Sequence, residues 1–356
     1  MRVAIDARHL GQGRGIARYV EQMLDALVDL FPDDEWVAVV PGRRPVTVPA
    51  AVELRRTVLP SRLVYAAAAL CGRPRLDQIA GGCDVCWIPA PAPIALAAAT
   101  PYVLTLLDRS FEANPKDFTP YERLWHRLAR PRKLAAHATT VVAISETSLD
   151  DLLAAGWPID REHAIVIGAA PSASVTPSEG DSSAGARAHL LYVGALEPRK
   201  GIAILSSAFQ QARDAGLDAH LVVVGEGRDA GLLAGVTGVT MLGRQSDEQL
   251  TRLYAESIAL VVPSISEGFG LPAVEAAAHG VPALTSDLPI FRETLGSGHL
   301  SFALSDAGAL AAAMIEICGD QALRDSLGGA AAAAVATRTW PAAAERLHSV
   351  LRQAAG

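Results

Sequence analysis

The chain has 356 residues, with 31 Lys+Arg against 38 Asp+Glu and a formal net charge of −7. That length suits two domains of moderate size, and half the residues are hydrophobic, too many for a disordered chain. The acidic balance and an aromatic content of 5% argue against a nucleic-acid binder built on a basic stripe or a base-stacking platform.

Four cysteines in a chain this long do not make a disulfide scaffold. The opening MRVAIDARHL has no apolar h-region, so the expectation is a chain without a signal peptide, placed in the cytoplasm. Trp87 to Leu107 carries no charge and is long enough to span a bilayer, but Pro89, Pro91, Pro93 and Pro101 would break a spanning helix. The segment reads as strand, proline loop, short helix and strand.

In chain order, Arg2 to Asp6 is a strand. Gly11, Gly13 and Gly15 follow, then a helix from Ile16 to Leu30 with Val20, Met23, Leu24 and Leu27 near helical spacing. WVAVV (36–40), DVCWI (84–88), YVLTLL (102–107) and TVVAI (140–144) are strands. Ser145 caps a helix that stops at Gly156, and AIVI is a further strand ending at Gly168. The alternation predicts a parallel sheet covered by helices, in a first domain over 1–170. Residues 171–187, rich in Pro, Ser, Gly and Ala, read as a linker.

A second series covers 188–338. Strands are LLYVG (190–194), LVVVG (221–225), TMLG (240–243), ALVVPS (259–264) and PALTS (282–286). Helices are Ile202 to Ala212, Asp247 to Glu256, Pro272 to His279 and Ala307 to Ile317. The tail, 339–356, holds WPAAAERLHSVLRQ, an amphipathic helix that could pack back on the first domain. The predicted class is α/β, two doubly wound Rossmann-like domains facing a cleft where ligands bind at the carboxyl ends of the strands.

Two stretches carry chemistry. In PSISEGFGLPAVEAAAHGVPALTSDLP (263–289), Pro272 suits a first helical turn, and Gly268 and Gly270 let a ligand approach the backbone. Glycine loop and positive helix end together make an anion site. Glu267 and Glu275 flank it. A carboxylate there suits a vicinal diol, so the ligand would carry phosphate and sugar hydroxyls. The plainer alternative makes Glu275 a first-turn charge and Glu267 a loop solubiliser. In YVGALEPRKGI (192–202), a strand ends at Gly194 and a loop delivers Arg199 and Lys200, either as a phosphate clamp or as two solvated charges.

Together these stretches resemble the family-4 retaining glycosyltransferases of the GT-B fold. GALEPRKGI is similar to that family's phosphate-binding loop and EGFGLPAVE to its two-glutamate motif. VVVGEG, MLGRQSDEQLTRLYAESIALVVPS and SDLPIFRE follow in the family's order. GRGIARYVEQML and VAISETSLDDL resemble segments of its first domain.

The resemblance implies a nucleotide diphosphate sugar as donor substrate and no separate cofactor. Arg199 and Lys200 would hold the diphosphate, Glu275 the ribose diol, and Glu267 the donor sugar. Backbone of Gly268, Phe269 and Gly270 would touch sugar and phosphate, with Gly194 and Leu271 completing that set. Gly243 and Arg244 would border the base, and Gly13, Arg14 and Gly15 would lie across the cleft. No Asp-x-Asp occurs, so no obligatory metal is expected. The acceptor would be a hydroxyl of a glycan, a lipid-linked or a small molecule. A catalytically silent nucleotide-sugar-binding subunit and a nucleotide-sugar epimerase of the same fold are the alternatives.

One departure stands out. The family often carries His-Asp after the fourth strand of its first domain; here the pair is Leu107-Asp108. Either the donor lacks the hydroxyl that such a His would meet, as a 6-deoxy sugar does, or catalysis is weakened. Asp108 is either a base toward the acceptor or an N-cap or loop carboxylate.

Weaker signals complete the reading. Asp6-Ala-Arg8 through Gly15 fails the dinucleotide spacing. Cys83 and Cys86 lack two further ligands and read as buried strand cysteines. Tyr121 to Lys133 is a basic amphipathic helix, either packed with a solvated face or resting peripherally on an anionic membrane.

Overall fold

The computed structural model describes residues 1–12, 15–172 and 189–356. The chain divides into two units, Met1–Ala169 with Thr339–Gly356, and Ala170–Arg338.

The first unit holds strands β1 (Arg2–Asp6), β2 (Glu35–Val40), β3 (Val52–Arg56), β4 (Val85–Ile88), β5 (Tyr102–Leu106), β6 (Thr140–Ala143) and β7 (Ala164–Val166). They form one parallel sheet in the order β3-β2-β1-β4-β5-β6-β7. β4 and β5 are buried at every position. A parallel sheet with helices on both faces leaves no polar side, so its strands read as unbroken apolar runs. Helices are α1 (Gly15–Leu30), α2 (Ser61–Cys71), α3 (Leu76–Ile79), α4 (Ser110–Ala113), α5 (Pro120–Ala129), α6 (Pro131–His137) and α7 (Glu146–Ala154). The last helix of the chain, Trp340–Ala355, belongs to this unit and packs on α1. Its Trp340 ring lies 5.9 Å from Tyr19, and His348 stacks on Phe31 at 3.5 Å.

The second unit holds β8 (His189–Val193), β9 (His220–Val224), β10 (Val239–Gly243), β11 (Ser257–Val262), β12 (Ala283–Ser286) and β13 (His299–Phe302). All pairings are parallel, in the order β10-β9-β8-β11-β12-β13. Its helices are α8 (Ile202–Asp214), α9 (Asp247–Ala255), α10 (Leu271–Ala278), α11 (Pro289–Leu295), α12 (Ala307–Gly319) and α13 (Gln321–Val335). Leu205, Phe209, Leu221, Val261 and Met314 sit in one core between sheet and helices.

Two sequence expectations are corrected. The loop between β4 and β5 holds no helix. Its backbone is tied elsewhere instead: Ala97 N–H donates to Asp77 and Leu76 N–H to the Ala95 carbonyl. Tyr121 to Lys133 is two helices, because Arg130 takes φ 47° and Pro131 has no N–H to continue the first. The sequence pattern also missed β3, α2, α11, β13 and α13. β3 is a half-exposed edge, and α13 is a Gly-Gly and Ala run without apolar period.

Candidate functional site

In the second unit the strand order reverses between β8 and β11, which are neighbours in the sheet. Loops leaving the carboxyl ends of two such strands run to opposite faces and open a crevice. Those loops are the two stretches singled out above. The β8 loop closes with a 3-10 turn, Pro198–Lys200, and the β11 loop runs into α10. Ile265 N–H donates to the Arg199 carbonyl at 2.8 Å, which joins them. Gly201 ends the turn at φ 72°, and a β-carbon there would stand 1.9 Å from the Pro263 carbonyl oxygen. Only glycine permits that approach.

The side chains meet as a cluster. Lys200 Nζ donates to Glu267 Oε1 at 2.5 Å, and Ser264 Oγ donates to the same oxygen at 2.8 Å. Lys200 and Glu267 side chains are 15% and 10% exposed. Burial pushes the Glu267 carboxyl up, but Lys200, Arg199 and Ser264 reverse this and hold it below the usual carboxylate range. Arg199 Nε donates to Glu197 Oε2 at 3.2 Å. The result is a partly buried pair of cations, each bonded to a carboxylate. A polyanion entering here would compete with Glu197 and Glu267 for the cations.

Gly268, Phe269 and Gly270 form the buried turn into α10, with Gly270 at φ 78° as its N-cap. Leu271 opens the helix, so its positive end faces the loop that bears Glu267. Glu275 lies one turn in and is buried; Tyr254 of α9 donates its hydroxyl to Glu275 Oε2 at 2.9 Å. The His279 ring stacks on Tyr254, centroids 5.5 Å apart, and burial pulls its pKa down to about 4. Gly194 N–H donates to the Val224 carbonyl and Gly225 N–H to the Gly243 carbonyl, which ladders three strand ends together. Arg244 Nε donates to Glu226 Oε2 at 3.2 Å, on exposed surface.

The structure thus unites Arg199, Lys200, Glu267 and the glycine turn around the switch point. It places Glu275 behind them with Tyr254, and Arg244 with Glu226. Glu197, Ser264 and Tyr254 escaped the sequence reading. Glu197 and Ser264 were legible as near neighbours of Arg199 and Glu267, whereas nothing in the sequence pointed from Tyr254 to Glu275.

In the first unit Gly13 and Arg14 lie outside the described residues, and Gly15 is the exposed first residue of α1. Asp108 Oδ1 accepts from Ser110 N–H at 2.9 Å and Ser110 Oγ at 2.8 Å, at the first residue of α4. The Leu107 carbonyl accepts from Ser148 Oγ. Asp6 and Arg8 form a buried ion pair at 2.7 Å, with the guanidinium 4.7 Å from the Tyr65 ring centroid. Cys83 and Cys86 are unlinked, with sulfurs 3.5 Å apart. Among the described residues no group of three or more His, Cys, Asp or Glu is arranged to hold a metal, and no helix is long and apolar enough to cross a membrane.

Residues 181–334 match the family described as Glycosyl transferases group 1. Over those residues, less than half of its length, the chain resembles that family. Among curated relatives, the serotype-specific mannosyltransferase WbdA of Escherichia coli is 32% identical over 188 residues, 45% of this chain and 23% of that protein. The phosphatidyl-myo-inositol mannosyltransferase of Mycobacterium leprae is 30% identical over 169 residues, 45% of each chain. The chain thus spans less than half the length of these relatives. Sucrose-phosphate synthase from Thermosynechococcus elongatus superposes with a TM-score of 0.75 at 20% identity, covering 99% of this chain and 98% of that one. WaaG, a glycosyltransferase of lipopolysaccharide biosynthesis, gives 0.71 at 17% identity over 98% and 99%. With the two parallel sheets, these likenesses establish a two-domain, Rossmann-like GT-B fold.

Proposed function

We propose that the chain is a retaining glycosyltransferase. It moves a hexose or 6-deoxyhexose from a nucleotide diphosphate sugar to a hydroxyl of a glycan, lipid-linked or small-molecule acceptor. The observation that carries this reading is the Arg199–Lys200–Glu267 cluster at the second unit's switch point, beside the amino end of α10. The donor diphosphate displaces the carboxylates from the two cations. As the bond between sugar carbon and phosphate oxygen lengthens, Arg199, Lys200 and the helix dipole stabilise the charge growing on the leaving group. This is the work a divalent metal does elsewhere, so the reaction needs none. Glu267, freed from Lys200, faces the donor sugar. Glu275, which accepts from Tyr254, meets the ribose diol. The acceptor oxygen bonds to the sugar carbon on the face the phosphate leaves, and its proton passes to the departing phosphate.

A mannose-type donor is favoured, since the curated relatives are named mannosyltransferases, and a GDP link is favoured only by the resemblance of the sequence motifs. The test is a thermal-shift panel of UDP, GDP and dTDP with their sugar conjugates, followed by product analysis with and without acceptor. One nucleotide at 100 times its Kd adds roughly 2.7 kcal/mol of stability. No shift with any member of the panel removes the reading. Binding without transfer or hydrolysis supports the second reading, a silent nucleotide-sugar-binding subunit. The bond of Asp108 to Ser110 and the leucine at 107 favour that one.

A further inference from the structure

Among the described residues the six most exposed large apolar side chains fall in one part of the first unit. Val58, Leu59, Leu63 and Leu70 lie on and before α2; Tyr121 and Leu124 lie on α5. Exposures run from 50% at Tyr121 to 82% at Val58.

The two helices present one surface. Tyr65 of α2 meets Trp125 of α5 edge-on at 4.6 Å, and Arg62 lies over the Tyr121 ring at 5.1 Å. α2 buries only Val64 and Ala68, on one side. Leu63, Ala66 and Leu70, at i, i+3 and i+7, make an apolar stripe on the other side, where a surface helix ordinarily carries polar residues.

Charge on this surface opposes that of the chain. Residues 54–75 hold five arginines and no acidic residue, and 120–133 hold five cations against Glu122, in a chain of net −7. Glu122 is engaged in a capping box with Thr119. Arg55, Arg75 and Arg132 pair with Glu53, Asp77 and Glu112. Arg56, Arg62, Arg73, Arg123, Arg127 and Arg130 of these two segments are exposed, with Arg56 donating to the Arg44 carbonyl.

We infer that α2 and α5 together form a docking surface for an anionic lipid bilayer. Outward leucines enter the headgroup boundary, and flanking arginines reach lipid phosphates with their apolar stems buried. An acidic chain approaches a negative surface only through a local patch of opposite sign, and attraction from such a patch fades within a Debye length. Three of the ten cations are paired with carboxylates, and the excess of exposed arginines beside exposed leucines selects a lipid surface over a neutral apolar partner. Arg132 leaves this surface, since it binds Glu112 and the Ala155 and Gly156 carbonyls. The inference rests on the first unit alone and does not depend on the donor site.

The test is co-sedimentation of the full chain with vesicles of phosphatidylcholine alone or mixed with phosphatidylglycerol. Wild type is expected to bind the mixed vesicles at least about tenfold better, and to lose binding as salt rises. Leu63→Ser/Leu70→Ser/Leu124→Ser and Arg62→Glu/Arg123→Glu/Arg127→Glu should each lose about tenfold with unchanged melting, since both sets are exposed. Two results overturn the inference. One is absent wild-type binding, or binding unchanged in both variants. The other is sedimentation equilibrium showing a wild-type dimer that the leucine variant dissociates, with no vesicle binding, because the patch then serves a second copy.

Discussion

The Pro263 carbonyl oxygen lies 1.9 Å from where a β-carbon on Gly201 would stand. The contact sets how closely the cation-bearing loop and the glutamate-bearing loop approach. Gly201→Ala must push the backbone apart and also strain φ at 72°. The expected loss is about 2 kcal/mol or more of stability, with weakened nucleotide binding. Urea unfolding and nucleotide titration check it; an unchanged midpoint would refute the constraint.

Lys200 and Glu267 should behave as a unit. Lys200→Met leaves a carboxylate buried without its nearest cation and should cost roughly 3 kcal/mol, whereas Lys200→Met/Glu267→Met should recover most of that. A double-mutant cycle read by denaturant midpoints measures the coupling. Additive losses would mean the pair is not coupled.

Tyr254→Phe removes the hydroxyl that donates to Glu275. A lost hydrogen bond to a buried carboxylate is worth about 1.5–3 kcal/mol. If Glu275 meets ribose, the variant should also discriminate less between ribo- and 2′-deoxyribonucleotide. Calorimetric titration with both nucleotides reads this. Preserved discrimination in Glu275→Gln separates failure of the ribose assignment from failure of the Tyr254 contact.

Two groups give stability distinct pH windows. His279 has a folded pKa of about 4 against 6.5 ordinarily. Between those values the unfolded chain binds the extra proton, so stability falls as pH drops from 6.5 toward 4. Glu267 is depressed, so its contribution is full above the ordinary value of 4.5 and declines below it until the folded carboxyl protonates. His279→Gln should shrink the first limb, which His126, His189 and His299 share because burial lowers them as well, and Glu267→Gln should shrink the second. Melting curves across pH check both, and a wild-type curve flat from 6.5 to 4.5 contradicts the His279 assignment.

Leu107 offers a test of donor choice. On the 6-deoxy reading, a 6-deoxy donor turns over faster than its 6-hydroxy parent, and Leu107→His narrows the difference. Initial rates with both donors decide; a clear preference of the wild type for the parent rules that reading out.

Much of this protein was legible in its sequence. Parallel strands buried on both faces must be apolar throughout, so β1, β4, β5, β8 and β11 stood out as runs of Val, Ile, Leu and Ala. Glycine loops before helices marked where backbone must turn. Elements that bury little, such as β3 and α2, left no such pattern. Tertiary structure alone decided which loops meet. Lys200 and Glu267 are 67 residues apart and touch because β8 and β11 are adjacent in the sheet. Tyr254 reaches Glu275 because α9 packs on α10. Periodicity in a sequence reports whether a segment is covered, since burial acts residue by residue. Which partner covers it depends on strand order and crossover, and those are set by how the whole sheet closes its core.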